Sequence, residues 1–175
     1  PIFETPTAGT GADFVGASSR TFRYPPLLGP QNPTVGGAFS NVPSRPMPAP
    51  QFMGTGQDLY GARFRGYIHP PVTGQYTFWI AADDSAELWL SPDDRAENKR
   101  RICQAAEWSL FFHNWWQNSE QESSPMILEA GRRYYIEALH KEGGGGDFFS
   151  VAWQPPGSDL EVISGADLSP FESAK

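Results

Sequence analysis

Ala62-Arg63-Phe64-Arg65-Gly66-Tyr67-Ile68-His69, then Pro70-Pro71-Val72-Thr73-Gly74, then Gln75-Tyr76-Thr77-Phe78-Trp79-Ile80, is an alternating run, a break and a second alternating run. Alternation with period two is the signature of a strand with one face buried. Tyr76, Phe78 and Ile80 would share one face, while Thr77 and Trp79 point the other way. Proline stops the first run, and Thr73-Gly74 supplies turn chemistry, so the pair reads as a hairpin. Glu87-Leu88-Trp89-Leu90 follows as a further strand after the short break Asp83-Asp84-Ser85.

Downstream, residues 91–122 are polar and mixed, with Asp93-Asp94 as a plain turn, a basic cluster at Lys99-Arg100-Arg101 and aromatics from Trp108 to Trp116. This segment reads as a long, partly irregular excursion. Strand character returns at Met126-Ile127-Leu128, over Arg133 to His140 and over Phe148 to Trp153, with Pro155-Pro156-Gly157 ending the ladder. Upstream, ten of the 17 prolines fall in residues 1–50, which excludes helix there. Aromatic and apolar residues punctuate that half, so ordered loops and a short strand near Arg20 to Tyr24 are expected. Short strands between turns, without a sustained helical period, predict an all-β fold, an antiparallel barrel or sandwich with long loops.

A chain of 175 residues fits one domain and is large enough to bury a core without covalent staples. A net charge of −7 would repel phosphate backbones, so nucleic acid is not an expected partner. The same acidity suits oxygen-ligated hard cations. The single cysteine, Cys103, excludes an internal disulfide and a paired-cysteine zinc site. No apolar run reaches the roughly 18 to 20 residues of a membrane span, so membrane insertion is not expected. The start at Pro1 reads as a domain or processed product of something longer.

Two motifs carry potential chemistry. Asp83-Asp84 sits between two apolar strands, where adjacent carboxylates repel unless solvent or a cation takes up the charge. A solvated turn and a cation site both answer to it. His140-Lys141-Glu142-Gly143-Gly144-Gly145-Gly146-Asp147 lets the backbone fold tightly enough to aim carbonyls or amides inward, or forms a simple hairpin tip. A phosphate loop would need a following helix, and Phe148-Phe149-Ser150-Val151 reads as strand. Phe111, Phe112, Trp115 and Trp116, with His113 and Asn114 among them, offer flat faces for sugar rings or packing groups for the sheets. Trp79, Trp89 and Trp153 alternate within strands and are expected in the core or on a sheet face.

The run Arg65 to Ile68, Pro70-Pro71, Thr73 to Phe78, Asp83-Asp84 and Glu87 to Leu90 resembles a PA14 domain. Ile127 to Glu137, His140 to Asp147, Val151-Ala152-Trp153 and Pro155-Pro156-Gly157 resemble its second half in the same order. The resemblance implies a single PA14-like domain over residues 1–175, carried by 58–171 and only loosely by the proline-rich 1–57. It also implies a calcium ion held by Asp83 and Asp84, whose linking peptide is cis, and by the glycine loop at Gly144, Gly145, Gly146 and Asp147. Adhesin-type members have an Asn in that loop where this chain has glycines and Asp147. Open calcium positions would accept two neighbouring sugar hydroxyls, so Asp83, Asp84, His113, Asn114, Trp115 and Trp116 are the candidate carbohydrate-binding residues.

The expected function is that of a non-catalytic carbohydrate-binding module in a larger secreted or cell-surface protein, with glycan or polysaccharide as partner and Ca2+ as cofactor. A structural or protein-interaction module, or an accessory domain of a glycoside hydrolase without calcium-mediated sugar binding, is the alternative. Catalysis finds little machinery: a glycosidase needs carboxyls about 5 to 9.5 Å apart across a cleft, which an adjacent pair does not supply. Cys103 has no nucleophile context, and His69, His113 and His140 lack zinc-like spacing.

Overall fold

A computed structural model describes residues 58–172 in full, together with the backbone of three short strands at β1 (Ala12–Asp13), β2 (Arg20–Phe22) and β3 (Gln51–Met53). The loops expected over the rest of residues 1–57 lie outside the described residues. The remaining strands are β4 (Tyr60–Ile68), β5 (Gly74–Asp83), β6 (Ser85–Leu90), β7 (Arg100–Ala105), β8 (Met126–Leu128), β9 (Tyr134–Glu142), β10 (Phe148–Gln154), β11 (Glu161–Val162) and β12 (Leu168–Pro170). Among the described residues there is no α-helix, and no helix is long and apolar enough to cross a membrane.

The strands form two sheets rather than a closed barrel. One runs β1-β4-β9-β6-β7, with β2 and β12 also paired to β4; the other runs β11-β10-β5-β8, with β3 also paired to β10. Every pairing is antiparallel except that of β1 with β4. The predicted alternation is realised: Tyr76, Phe78 and Ile80 point into the core between the sheets, with Ile136, Leu88, Phe149, Val151 and Trp153. Trp79 and Ala81 face the other way and are covered by Trp115 in a smaller cluster. Burying this aromatic and aliphatic surface is the main driving force of the fold.

Three expectations need correction. The alternating runs before and after Pro70-Pro71 do not pair as a hairpin. β4 pairs with β9 over its whole length, from Tyr60↔Glu142 to Ile68↔Tyr134. β5 pairs with β10, from Asp83↔Phe148 to Thr77↔Gln154. Each backbone finds its hydrogen bonds with a distant strand, so the proline link crosses between sheets. The excursion over 91–122 contains the regular strand β7, because Arg100-Arg101-Ile102-Cys103 continues the first sheet alongside β6. The ladder also does not end at Pro155-Pro156-Gly157, since β11 adds to β10 and β12 adds to β4.

Candidate metal centre

The same crossing rule places the two motifs side by side. β5 lies in one sheet and β6 in the other, so Asp83-Asp84-Ser85 crosses between sheets. β9 and β10 likewise lie in different sheets, so Gly143 to Asp147 is a second crossing and not a hairpin tip. Asp83 pairs with Phe148, just after the glycine loop, and Ser85 pairs with Lys141, just before it. The two links must therefore run next to each other at one end of the sandwich.

Contacts between them are direct. The Asp83-Asp84 peptide bond is cis. The Asp84 N–H donates to the Lys141 carbonyl at 3.2 Å, and the Gly143 N–H donates to Asp84 Oδ2. A Cβ at Gly143 would lie 2.5 Å from Asp84 Oδ2, closer than real side chains come, so any other residue there would push the carboxylate from this position. At the far end of the loop, Asp83 Oδ2 lies 3.6 Å from where a Cβ of Gly146 would stand. The two carboxylates thus straddle the loop, one near its first glycine and one near its fourth.

Supporting groups come from outside both motifs. The Tyr60 O–H donates to Asp147 Oδ2 at 2.5 Å, and the Gly145 N–H donates to Asp58 Oδ1 at 3.1 Å. His140, fully buried, directs Nε2–H to the Asp83 carbonyl at 2.7 Å. Burial pushes the His140 imidazole down to about 4, which keeps it neutral near pH 7, and the carbonyl, which can only accept, makes Nε2 the protonated ring nitrogen. Sequence reasoning missed Asp58 and Tyr60, and it placed His140 at the head of the glycine motif without giving it a role. Their link to the site runs through the β4–β9 register, which no local pattern announces.

Electrostatically the end is strongly acidic. The Asp83 carboxyl is raised above its ordinary value by burial, then by Asp84 and Asp147. Glu142 is pushed up to about 8 by burial, then by Asp84, Asp83, Asp147 and Asp58. Among the described residues no three His, Cys, Asp or Glu side chains converge into a ready-made cation cage. A cation here would draw on the Asp83 and Asp84 carboxylates plus backbone oxygens of the loop. Oxygen-only donors with excess negative charge are the set a hard divalent ion prefers.

Glu142 and His140 predict a pH profile of stability in the absence of divalent ions. Folded Glu142 keeps its proton where the unfolded chain, near 4.5, has lost it, so stability falls as pH rises from about 4.5 to 8. His140 acts oppositely: the unfolded imidazole takes a proton below about 6.5 that the folded one refuses down to about 4. The two oppose each other between about 4.5 and 6.5, and above that only Glu142 titrates. Melting in chelator is therefore expected to decline from pH 6.5 to 8, by at most about 1.4 kcal/mol per pH unit for one proton. A melting temperature still climbing at pH 8 would show Glu142 ionised in the folded protein.

The candidate sugar contacts separate by exposure. Trp115 is buried against Trp79 and cannot offer a face to a ligand, which corrects the expectation for it. His113 stacks between Phe112 and Trp115, with ring centroids 4.0 and 5.3 Å away. The Asn114 side-chain amide donates to Gln117 Oε1 at 3.0 Å. Trp116 is exposed, together with Trp108, Leu110 and Phe111. The loop abuts the acidic end: Ser109 N–H donates to the Ala82 carbonyl at 2.7 Å, and Phe112 meets Phe148 edge-on at 5.5 Å. Cys103 is buried, and burial pushes its thiol far above the ordinary range. It is not poised as a nucleophile.

Fold and site together define a two-sheet β-sandwich whose crossing links gather an acid pair and a glycine loop at one end. The family model described as PA14 domain matches residues 50–165, and the chain belongs to the PA14 domain family. A mouse N-acetyl-beta-glucosaminyl-glycoprotein 4-beta-N-acetylgalactosaminyltransferase 1 is 37% identical over 103 residues, 55% of this chain but only 10% of that protein. An anti-sigma factor domain-containing protein from Clostridium clariflavum has a similar fold, with TM-score 0.53 and 21% identity over 73% of this chain and 41% of that one. The epithelial adhesin 6 A domain from Candida glabrata, solved in complex with Galβ1-3GlcNAc, has TM-score 0.51 and 17% identity, covering 66% of this chain and 53% of that one. The chain thus spans about a tenth of the curated relative and about half or less of the solved chains.

Proposed function

We propose that this chain is a non-catalytic carbohydrate-binding module that holds Ca2+ at its acidic end and, through it, glycan hydroxyls. The observation that carries the reading is the straddling of the glycine loop by Asp83 and Asp84, with Gly143 leaving room for a carboxylate where a side chain would stand. When bound, the ion supplies coordination positions beyond those the protein fills, and calcium accepts six to eight oxygens. Asp83 and Asp84 would hold it by charge, the carbonyls of Gly144 and Gly145 would serve as backbone donors, and Asp147 supports the loop through Tyr60. Trp116 and Phe111 stand exposed on the adjoining loop, suited to the apolar face of a pyranose.

The adhesin domain solved with Galβ1-3GlcNAc supports a glycan ligand, since it shares this fold. A binding role without turnover is supported by the chemistry of the acid pair, whose carboxylates share one loop instead of facing each other across a cleft. The small share of the transferase that this chain matches supports a module within a larger multidomain protein, and the likeness in fold to an adhesin domain supports one that is secreted or displayed at the cell surface.

A glycan array probed in millimolar calcium and again in chelator tests the reading. Binding that appears with calcium and vanishes with chelator is expected. Calcium-independent binding would remove the ion from the mechanism, and no glycan signal in either condition would favour a structural or protein-interaction role.

A further inference from the structure

Residues 58, 59 and 60 grip the glycine loop at three points. Asp58 Oδ1 accepts the Gly145 N–H at 3.1 Å, the Leu59 N–H donates to the Gly143 carbonyl at 3.2 Å, and the Tyr60 O–H donates to Asp147 Oδ2 at 2.5 Å. Leu59 adopts φ 59°, a left-handed turn uncommon for a branched apolar residue, just before β4 begins. Tyr60 is buried, and its ring meets His140 edge-on at 5.8 Å. His140 in turn holds the Asp83 carbonyl at 2.7 Å. One ring contact therefore joins the group that holds the end of the glycine loop to the group that holds the acid corner.

We propose that Tyr60 is the positioning residue of this site, and that with Asp58 and Leu59 it forms a clamp ordering Gly143 to Asp147 before any ligand arrives. Four consecutive glycines have the most conformational freedom a chain can have, and a loop left free would be ordered only on binding, at the expense of affinity. Clamping shifts that ordering into folding, where the β4–β9 ladder supports it. The consequence for affinity rests on the calcium reading above; the ordering of the loop does not.

Tyr60→Phe keeps the ring against His140 and deletes only the O–H. In chelator, NMR relaxation of the wild-type Gly143 to Gly146 amides should give order parameters near the rigid value of about 0.85, and in Tyr60→Phe they should drop toward the flexible range below about 0.6. Calcium titration should show affinity weakened by about tenfold in Tyr60→Phe, as befits loss of a charge-assisted hydrogen bond, while the urea midpoint reports that the variant stays folded. A loop already mobile in the wild type, or one equally ordered in Tyr60→Phe, would overturn the clamp. If the loop is ordered by Tyr60 but calcium leaves wild-type melting unchanged, the clamp stands and the calcium reading fails.

Discussion

Asp84→Ala is expected to abolish the calcium-dependent rise in melting temperature. At a hundredfold excess over its dissociation constant, an ion bound only to the folded chain stabilises it by about 2.7 kcal/mol. For a chain of this size that is roughly 5 to 11 °C, at about 2 to 4 °C per kcal/mol. Removing Asp84 deletes one of the two straddling carboxylates and the acceptor for the Gly143 N–H. In chelator two opposing effects remain. The lost hydrogen bond costs about 1 kcal/mol, while relief of repulsion removes one of the charges that raise Asp83 and Glu142. The variant should thus melt near the wild type without calcium and gain nothing from it. Melting scans of both proteins in chelator and in calcium check this; a full calcium shift in Asp84→Ala would remove the carboxylate from the site.

Trp153→Ala is expected to give the largest loss of stability, about 3 to 5 kcal/mol. Trp153 is fully buried on β10, with Tyr76 and Phe78 ring centroids 5.1 and 6.3 Å away, and its indole N–H donates to Glu161 Oε1 at 3.2 Å. Truncation leaves a cavity between the sheets and removes the hydrogen bond to Glu161 on β11. Against a total stability of about 5 to 15 kcal/mol, that is a large share. Trp116→Ala, by contrast, removes a side chain that is 68% exposed and should shift stability by less than about 0.5 kcal/mol. Urea midpoints of the two variants compare them directly, and equal losses would contradict the burial assigned to Trp153.

Trp115 and Trp116 look alike in the sequence, yet they are neighbours with opposite fates. Strand periodicity could place Trp153 because its alternation with Val151 and Phe149 sets its face. No periodicity runs through residues 108–117, and the loop is instead held by side chains such as Gln117, which accepts the Leu110 N–H at 2.8 Å and donates to the Trp108 carbonyl at 2.9 Å. Which aromatic it buries depends on that local scaffold, so exposure there was not legible beforehand.

The chain by itself determined the longer strands β4, β5, β6, β9 and β10 and the inward face of β5, because alternation and turn residues act over a few positions and bias the backbone before any distant partner arrives. It also carried the acid pair and the glycine run as distinct motifs. Tertiary structure alone decided that the links after β4, β5 and β9 cross between sheets. Backbone hydrogen bonds are chemically the same with any strand, and only burial of both sheets' inner faces selects β9 for β4 and β10 for β5. That selection brings Asp83 beside Phe148 and Tyr60 beside Glu142, and so assembles one acidic end from residues more than eighty positions apart in the chain.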